Sequence, residues 1–424
     1  MIRFLIKGLL RDKSRSRLPI IVVAIGVMLT VFMHAYITGF MGDTIEMNAR
    51  FTHGHLKVMT KAYAENMNQN PNDLALLNVD ELLEDLSSKY SNLTWVPRIQ
   101  FGGLIDSPDK NGETREQGPA FGLALDFLSK GSVEVERLNI EKSLVKGSSI
   151  NEPGEVLLSE LFAQKLGVGV GDEVTFIGST MYGSMAFYNF IVAGTVTFGV
   201  EQLDRGAVIV DIEDARFALD MENAAGEIVG FFNDGFYNND EAIELAKSFN
   251  AEYTSTDDEY APVMKTLSQQ GGMGQYVMLA EVWTVYISMI FVFAMALVLW
   301  NAGLLGGLRR YGEFGIRLAM GEEKRHVYNT LIYESIAVGV IGTFVGTGFG
   351  LLFSWLLQTY GIDISGMMEG ASMMMPSVIK ARITSATYYV GFIPGLLSTV
   401  IGAALAGVGI FKRKTSQLFK ELEA

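Results

Sequence analysis

The sequence predicts an α-helical membrane protein with four transmembrane helices and a large α+β extracytoplasmic domain inserted between helices 1 and 2. Three observations predict it. Four stretches carry no Asp, Glu, Lys or Arg: Leu18 to Gly42, Val282 to Leu308, Ser335 to Ile362 and Ile383 to Phe411, of 25, 27, 28 and 29 residues. Each exceeds the roughly 20 apolar residues that a membrane-crossing helix needs, which excludes a soluble enzyme. The net charge of −14 is unevenly spread, because Asp43 to Tyr276 holds 37 acids and 16 bases while the rest of the chain holds 10 acids and 17 bases. The bases outside that acidic segment also sit on one side of the charge-free runs, with fifteen flanking their predicted cytoplasmic ends and only Lys380 and Arg382 between the third and fourth.

That last asymmetry sets the orientation, since Lys and Arg collect in cytoplasmic loops. Both termini and the loop after the second helix are expected in the cytoplasm, and the acidic domain outside. In chain order, residues 1–17 read as a cytoplasmic amphipathic basic helix, with Phe4, Leu5 and Leu9 opposite Arg3, Lys7 and Arg11. Residues 18–42 are the first span, too long for the apolar region of a signal peptide and hence an uncleaved anchor. Residues 43–276 form the outer domain. The second span covers 277–308, a cytoplasmic coupling helix and loop 309–326, the third span 327–360, a short outer loop 361–382, the fourth span 383–411 and a cytoplasmic tail 412–424.

Within the outer domain, β-rich runs appear at His55 to Met59, Leu93 to Ile99, Glu173 to Ile177, Phe187 to Val196 and Ala207 to Val210. Helical periodicity appears at Val79 to Tyr90, Ser159 to Leu166, Ile212 to Met221 and Asp240 to Phe249, and Gln269 to Gln275 reads as the linker back to the membrane. The chain has no cysteine, so this domain holds itself together by burial without disulfides, and thiol nucleophiles and cysteine-ligated metals are excluded. The acidic balance argues against nucleic acid as a partner.

The most informative segment is Asn301 to Gly321, NAGLLGGLRRYGEFGIRLAMG. As one helix it would place Leu308, Tyr311, Gly315 and Leu318 on one face and pair Glu313 with Arg317 at i,i+4 on another. Gly321 supplies a stop, and Glu322 and Glu323 give the next helix an acidic first turn. From the physics alone, an interfacial helix snorkelling its bases stays open beside a coupling role. Gly342, Gly346 and Gly350 repeat every four residues and form a face for close helix packing, within the subunit or between subunits. Glu334, near the cytoplasmic end of that span, is expected to pair with a base or reach the interface, and Glu281 to be interfacial. His53 and His55 on one strand face could begin a metal site, but no third ligand is in view, so a hydrogen-bonded pair is the stronger reading. Met367, Met368, Met373, Met374 and Met375 read as a flexible apolar plug rather than a copper site. The sequence holds no HExxH, GxSxG or Walker A string, so no catalytic residue, cofactor-binding residue or metal ligand is assigned.

Asn301, Arg310, Glu313, Gly315, Ile316, Arg317, Ala319 and Gly321, followed by Glu334 and the glycine ladder, resemble the signature of the bacterial ABC permease family that includes lipoprotein-releasing, macrolide-exporter-like and cell-division permeases. The N-terminal FLIKGLLRDKSRSRL resembles that family's basic entry into the first span, and Glu155 to Thr175 with Gly171 and Asp172 resembles the strand-helix-strand of its periplasmic core domain. The tail, Lys412 to Leu422, departs from the family in lacking a proline and paired alanines. The resemblance implies a multi-pass inner-membrane permease subunit of an ABC transporter, with no nucleotide-binding domain or cofactor of its own. ATP and magnesium would be bound by a partner ABC ATPase subunit. The other implied partners are a second permease copy or a related permease in a dimer, membrane lipid, and a periplasmic chaperone or adaptor. It implies mechanotransmission through Arg310, Glu313, Gly315, Arg317 and Gly321, in the service of lipoprotein release. The alternatives are macrolide or peptide efflux, activation of an extracytoplasmic hydrolase and, from a different class, a membrane-anchored binding or sensor protein.

Overall fold

The computed structural model describes residues 13–109, 112–199, 201–253, 258–363 and 378–412. In chain order, α1 (Lys13–Asn48) ends in a π-helical turn, Ala49–His53, and is followed by β1 (Leu56–Thr60), β2 (Leu76–Leu77), α2 (Val79–Lys89), β3 (Leu93–Pro108) and β4 (Thr114–Leu125). Next come α3 (Glu134–Arg137), β5 (Leu144–Gly147), β6 (Glu155–Ser159), α4 (Glu160–Leu166), β7 (Glu173–Ser179), β8 (Met185–Val196) and β9 (Ala207–Asp211). They are followed by α5 (Ile212–Leu219), β10 (Ala224–Ala225), β11 (Glu227–Phe232), α6 (Asn239–Tyr253) and β12 (Pro262–Thr266). The remaining helices are α7 (Met273–Leu308), α8 (Tyr311–Ala319), α9 (Lys324–Tyr360), α10 (Ser385–Tyr389) and, after a π-helical turn at Ile393–Ser398, α11 (Thr399–Lys412).

These elements form two compact units. One takes in the chain up to Met41, Ala280–Asp363 and the chain from Val378; the other holds Gly42–Leu279. Among the described residues, four helical stretches are long and apolar enough to cross a membrane: Arg17–Met47, Met273–Ala319, Lys324–Tyr360 and Ser385–Lys412. The second begins four residues before the expected start at residue 277. The fourth is interrupted, because Pro394 opens the π turn and cannot donate to the helix ladder. In this unit α9 lies against α1 along the glycine face. A Cβ at Gly342 would sit 2.7 Å from Val23 Cβ, one at Gly346 2.8 Å from Val27 Cβ, and one at Gly350 2.7 Å from Val31 Cβ. Only hydrogen fits there, so the two backbones approach as closely as helices can. The partner of the ladder in this chain is therefore the first span. The basic segment before residue 13, the Met-rich loop and most of the tail lie outside the described residues.

The second unit is built on a ten-stranded sheet in the order β12-β1-β11-β3-β4-β9-β6-β8-β5, with β7 pairing β3 and β8. Most pairs are antiparallel; β4 with β9 and β6 with β8 are parallel. The centre is β3, whose first half pairs β11 (Arg98 opposite Glu227) and whose second half pairs β4 and β7. The expected strand Leu93 to Ile99 thus continues to Pro108. Helix α4 starts because the Ser159 hydroxyl accepts the Phe162 N–H at 3.1 Å, and it buries Phe162 and Leu166. Helix α5 starts likewise on the Asp211 carboxylate. Leu125, Leu138, Ile140, Leu157, Val196 and Ile209 form a core in which each side chain is almost wholly buried, at about 25 cal/mol per Å² of apolar area removed from water.

The two histidines do not share a strand face. His53 ends the π turn and His55 precedes β1, because Gly54 between them turns the chain with a φ of +73°. Each ring finds its own partner, His53 the Thr52 hydroxyl and His55 the Glu46 carboxylate.

Candidate functional site

The segment Asn301 to Gly321 folds as an elbow. The expected unbroken helix is interrupted at Arg309 and Arg310, where the Arg310 N–H reaches back to the Gly307 carbonyl at 3.2 Å and Arg310 takes φ −99° and ψ 5°. Helix α7 ends there and α8 begins, so Leu308 does not continue the face of Tyr311, Gly315 and Leu318. Instead Tyr311 and Phe314 anchor α8. Both are buried, with Val327, Leu331, Ala403 and Ile410 around them, and the Tyr311 hydroxyl donates to the Ala406 carbonyl at 2.7 Å. Gly315 is buried beside them, while Ile316 and Met320 are exposed, Met320 by 75%.

The charges are arranged differently from the i,i+4 expectation. Arg317 donates two hydrogen bonds of 2.6 Å to Glu322, not to Glu313. The cause is Gly321, whose φ of +95° lies in the left-handed region open to glycine, and which turns the chain so that Glu322 comes back under Arg317. Those hydrogen bonds hold the Glu322 carboxyl below the usual carboxylate range. Glu322 also lies 3.4 Å from His326. Arg310 reaches Glu313 at 3.5 Å and pairs with Glu334, so the carboxylate in the third span meets a base, as its position predicts. The five residues singled out by sequence are therefore all on one elbow, with Arg310 tying it to α9, Arg317 closing its turn and Gly321 permitting that turn.

Tyr311 and Phe314 were not singled out as anchors. A helix amphipathic over its own nine residues, rather than over the whole segment, would have pointed to them.

Residues 285–415, which run from α7 through the elbow to the end of α11, match the family described as FtsX-like permease C-terminal. This chain resembles that family over those residues. It is 25% identical over 258 residues to the lipoprotein-releasing system transmembrane protein LolC of Xylella fastidiosa, an alignment that covers 58% of each chain. With the protein of the same name from Haemophilus influenzae it is 23% identical over 262 residues, covering 59% of this chain and 61% of that one. The chain thus spans about three fifths of the length of the curated relatives it matches. The periplasmic region of MacB from Actinobacillus actinomycetemcomitans aligns in structure with a TM-score of 0.35 at 11% identity, covering 55% of this chain and 94% of that one.

Proposed function

We propose that this permease passes the ATP-driven motion of a separate ATPase subunit, through the α8 elbow and the spans, to an extracytoplasmic sheet domain, and that the work done there is lipoprotein release from the inner membrane. The observation that carries the reading is the elbow itself. A short amphipathic helix held by two buried aromatic anchors and an arginine to the third span is a rigid lever, and its exposed Ile316 and Met320 with Glu313 offer an apolar and charged surface to a partner. Both termini and the elbow lie in the cytoplasm on this reading, the permease works as a dimer with a second copy or a related permease, and ATP with magnesium is bound by the ATPase. The names of the two curated relatives favour lipoprotein release over efflux; a periplasmic chaperone or adaptor would receive the product.

The test is reconstitution of the permease with its ATPase in proteoliposomes carrying a fluorescent lipoprotein. Release of the lipoprotein on addition of ATP is expected, and Met320→Asp or Glu313→Lys should weaken ATPase binding by about tenfold while the permease stays inserted and folded. Full ATPase binding and release in both variants would refute the elbow's role. ATP hydrolysis without release, with a macrolide or peptide exported instead, would refute the lipoprotein assignment.

A further inference from the structure

Residues 46–57, where the first span gives way to the sheet unit, carry a cluster of buried charges that the coupling reading does not use. A helix normally ends with several carbonyls left to water. At the end of the π turn they are taken by side chains of the sheet instead. Arg98 of β3, wholly buried, donates through Nη1 to the Arg50 carbonyl at 2.9 Å and the Phe51 carbonyl at 2.7 Å. Lys57 of β1 donates to the Thr52 carbonyl at 2.7 Å, and Gln100 of β3 reaches the same oxygen at 3.3 Å.

Each cation is itself held. Arg98 Nε and Nη2 lie 2.9 and 2.7 Å from one oxygen of buried Glu134, and Arg137 takes the other oxygen at 2.9 Å. Lys57 pairs with Glu227, which also accepts from Gln100. On the helix side, Glu46 meets Arg50 at 3.2 Å and His55, whose Nδ1 accepts the Phe232 N–H at 3.0 Å and so leaves the ring proton on the side of Glu46.

Buried ion pairs add little to stability that a well-packed apolar group would not, while they do impose one geometry. Three consecutive carbonyls of one helix end, caught by cations that are pinned in turn by carboxylates, allow the end of α1 a single position against β1 and β3. We propose that Arg98, held by Glu134 and Arg137, is the positioning residue that fixes the end of α1, from Glu46 through the π turn, against β1 and β3, so that a displacement carried along this helix reaches the sheet without slack at that end. The inference rests on the transmission reading above.

The test uses the full chain with its ATPase in lipid nanodiscs. The absence of cysteine allows donor and acceptor dyes at Glu152→Cys and Arg325→Cys, and the ATP-driven change in energy transfer is the readout. Arg98→Met keeps length and removes the donors. It is expected to leave ATPase binding and basal hydrolysis unchanged while the ATP-driven change falls about threefold or more, with Arg98→Lys in between because it keeps the charge but not the fork. In the unmodified protein, the Gly54 and His55 amides should exchange with deuterium as slowly as those of β11. Fast exchange at Gly54 and His55 would overturn the fixed helix end even if Arg98→Met failed to fold. An undiminished ATP-driven change in folded Arg98→Met would overturn it while sparing the transmission reading. No ATP-driven change in the unmodified complex would overturn that reading and the fixed helix end with it.

Discussion

Replacing Gly346 by alanine adds one methyl group at the tightest point between the first and third spans. Its carbon would stand 2.8 Å from Val27 Cβ and closer still to the Ala24 carbonyl oxygen, where ordinary contacts need about 3.4 to 4 Å. The Ala24 oxygen belongs to a helix backbone and cannot swing aside, so α1 and α9 must separate by about 1 Å, and overpacking of this kind costs about 1 to 3 kcal/mol. Alanine also favours a helix over glycine by up to about 1 kcal/mol, which works in the opposite direction. Gly348, two residues on in the same helix, provides the control, because a Cβ there meets nothing within 4 Å. Gly348→Ala collects the propensity gain without the clash. At about 2 to 4 °C per kcal/mol, thermal unfolding of the detergent-solubilised full chain should place Gly346→Ala about 2 to 12 °C below Gly348→Ala. Equal melting temperatures would refute the close approach. A loss confined to dimer dissociation, with the monomer unaffected, would mean that the glycine face meets another subunit rather than α1.

Burial, with the Lys57 ammonium nearby, lowers the His53 pKa from 6.5 to about 4. Between those values the unfolded chain binds a proton that the folded chain does not, so the contribution of His53 is fully present above pH 6.5 and is lost as the pH falls through the window, by on the order of 3 kcal/mol. His53→Asn, which cannot titrate, should flatten the fall in melting temperature between pH 6.5 and 4, and an unchanged slope would rule this out. For topology, Glu152→Cys should react with an impermeant maleimide in intact spheroplasts and Met320→Cys only after permeabilisation; labelling of Met320→Cys from outside would invert the assignment of sides.

The four spans could be read from sequence because charge-free runs of 25 to 29 residues have few other uses in a folded chain. The sheet was harder. β4 carries Gly118, Pro119 and Gly122 and so reads as loop, although Gly122 is needed where the Phe101 ring crosses it. β11, EIVGFF, is buried on both faces and shows no alternation. β3 changes partners midway, and no local pattern records a change of partner. At the elbow the residue types were visible but their pairing was not, because the Arg317 to Glu322 bond exists only once Gly321 has turned the chain. The glycine ladder showed its spacing and kept its partner hidden for the same reason: a helix face states what size of neighbour it accepts and says nothing of which neighbour that is. Arg98 and Glu134, 36 residues apart, offered no signal short of the fold itself.

The π-helical turn at Ile393–Ser398 has a bearing on how this chain can change in evolution. A π turn is an α-helix with one residue too many, and one residue is about 100° of rotation. Before and within it, Gly391 and Gly395 face Val27, Val31 and Thr343 of the first and third spans. After it, Gly402 and Gly409 face Trp300 and the Tyr311 ring, on the second span and the elbow, while Gly407 faces Tyr328 and Leu331 of the third span. With the extra residue, one helix presents small residues to the first and third spans before the turn and to the second span, the elbow and again the third span after it. Deleting a single residue there would restore a smooth helix, yet it would swing the downstream half by about a quarter turn and point bulk where glycine is required. Point substitutions can drift through much of this span, but its length is held to the residue.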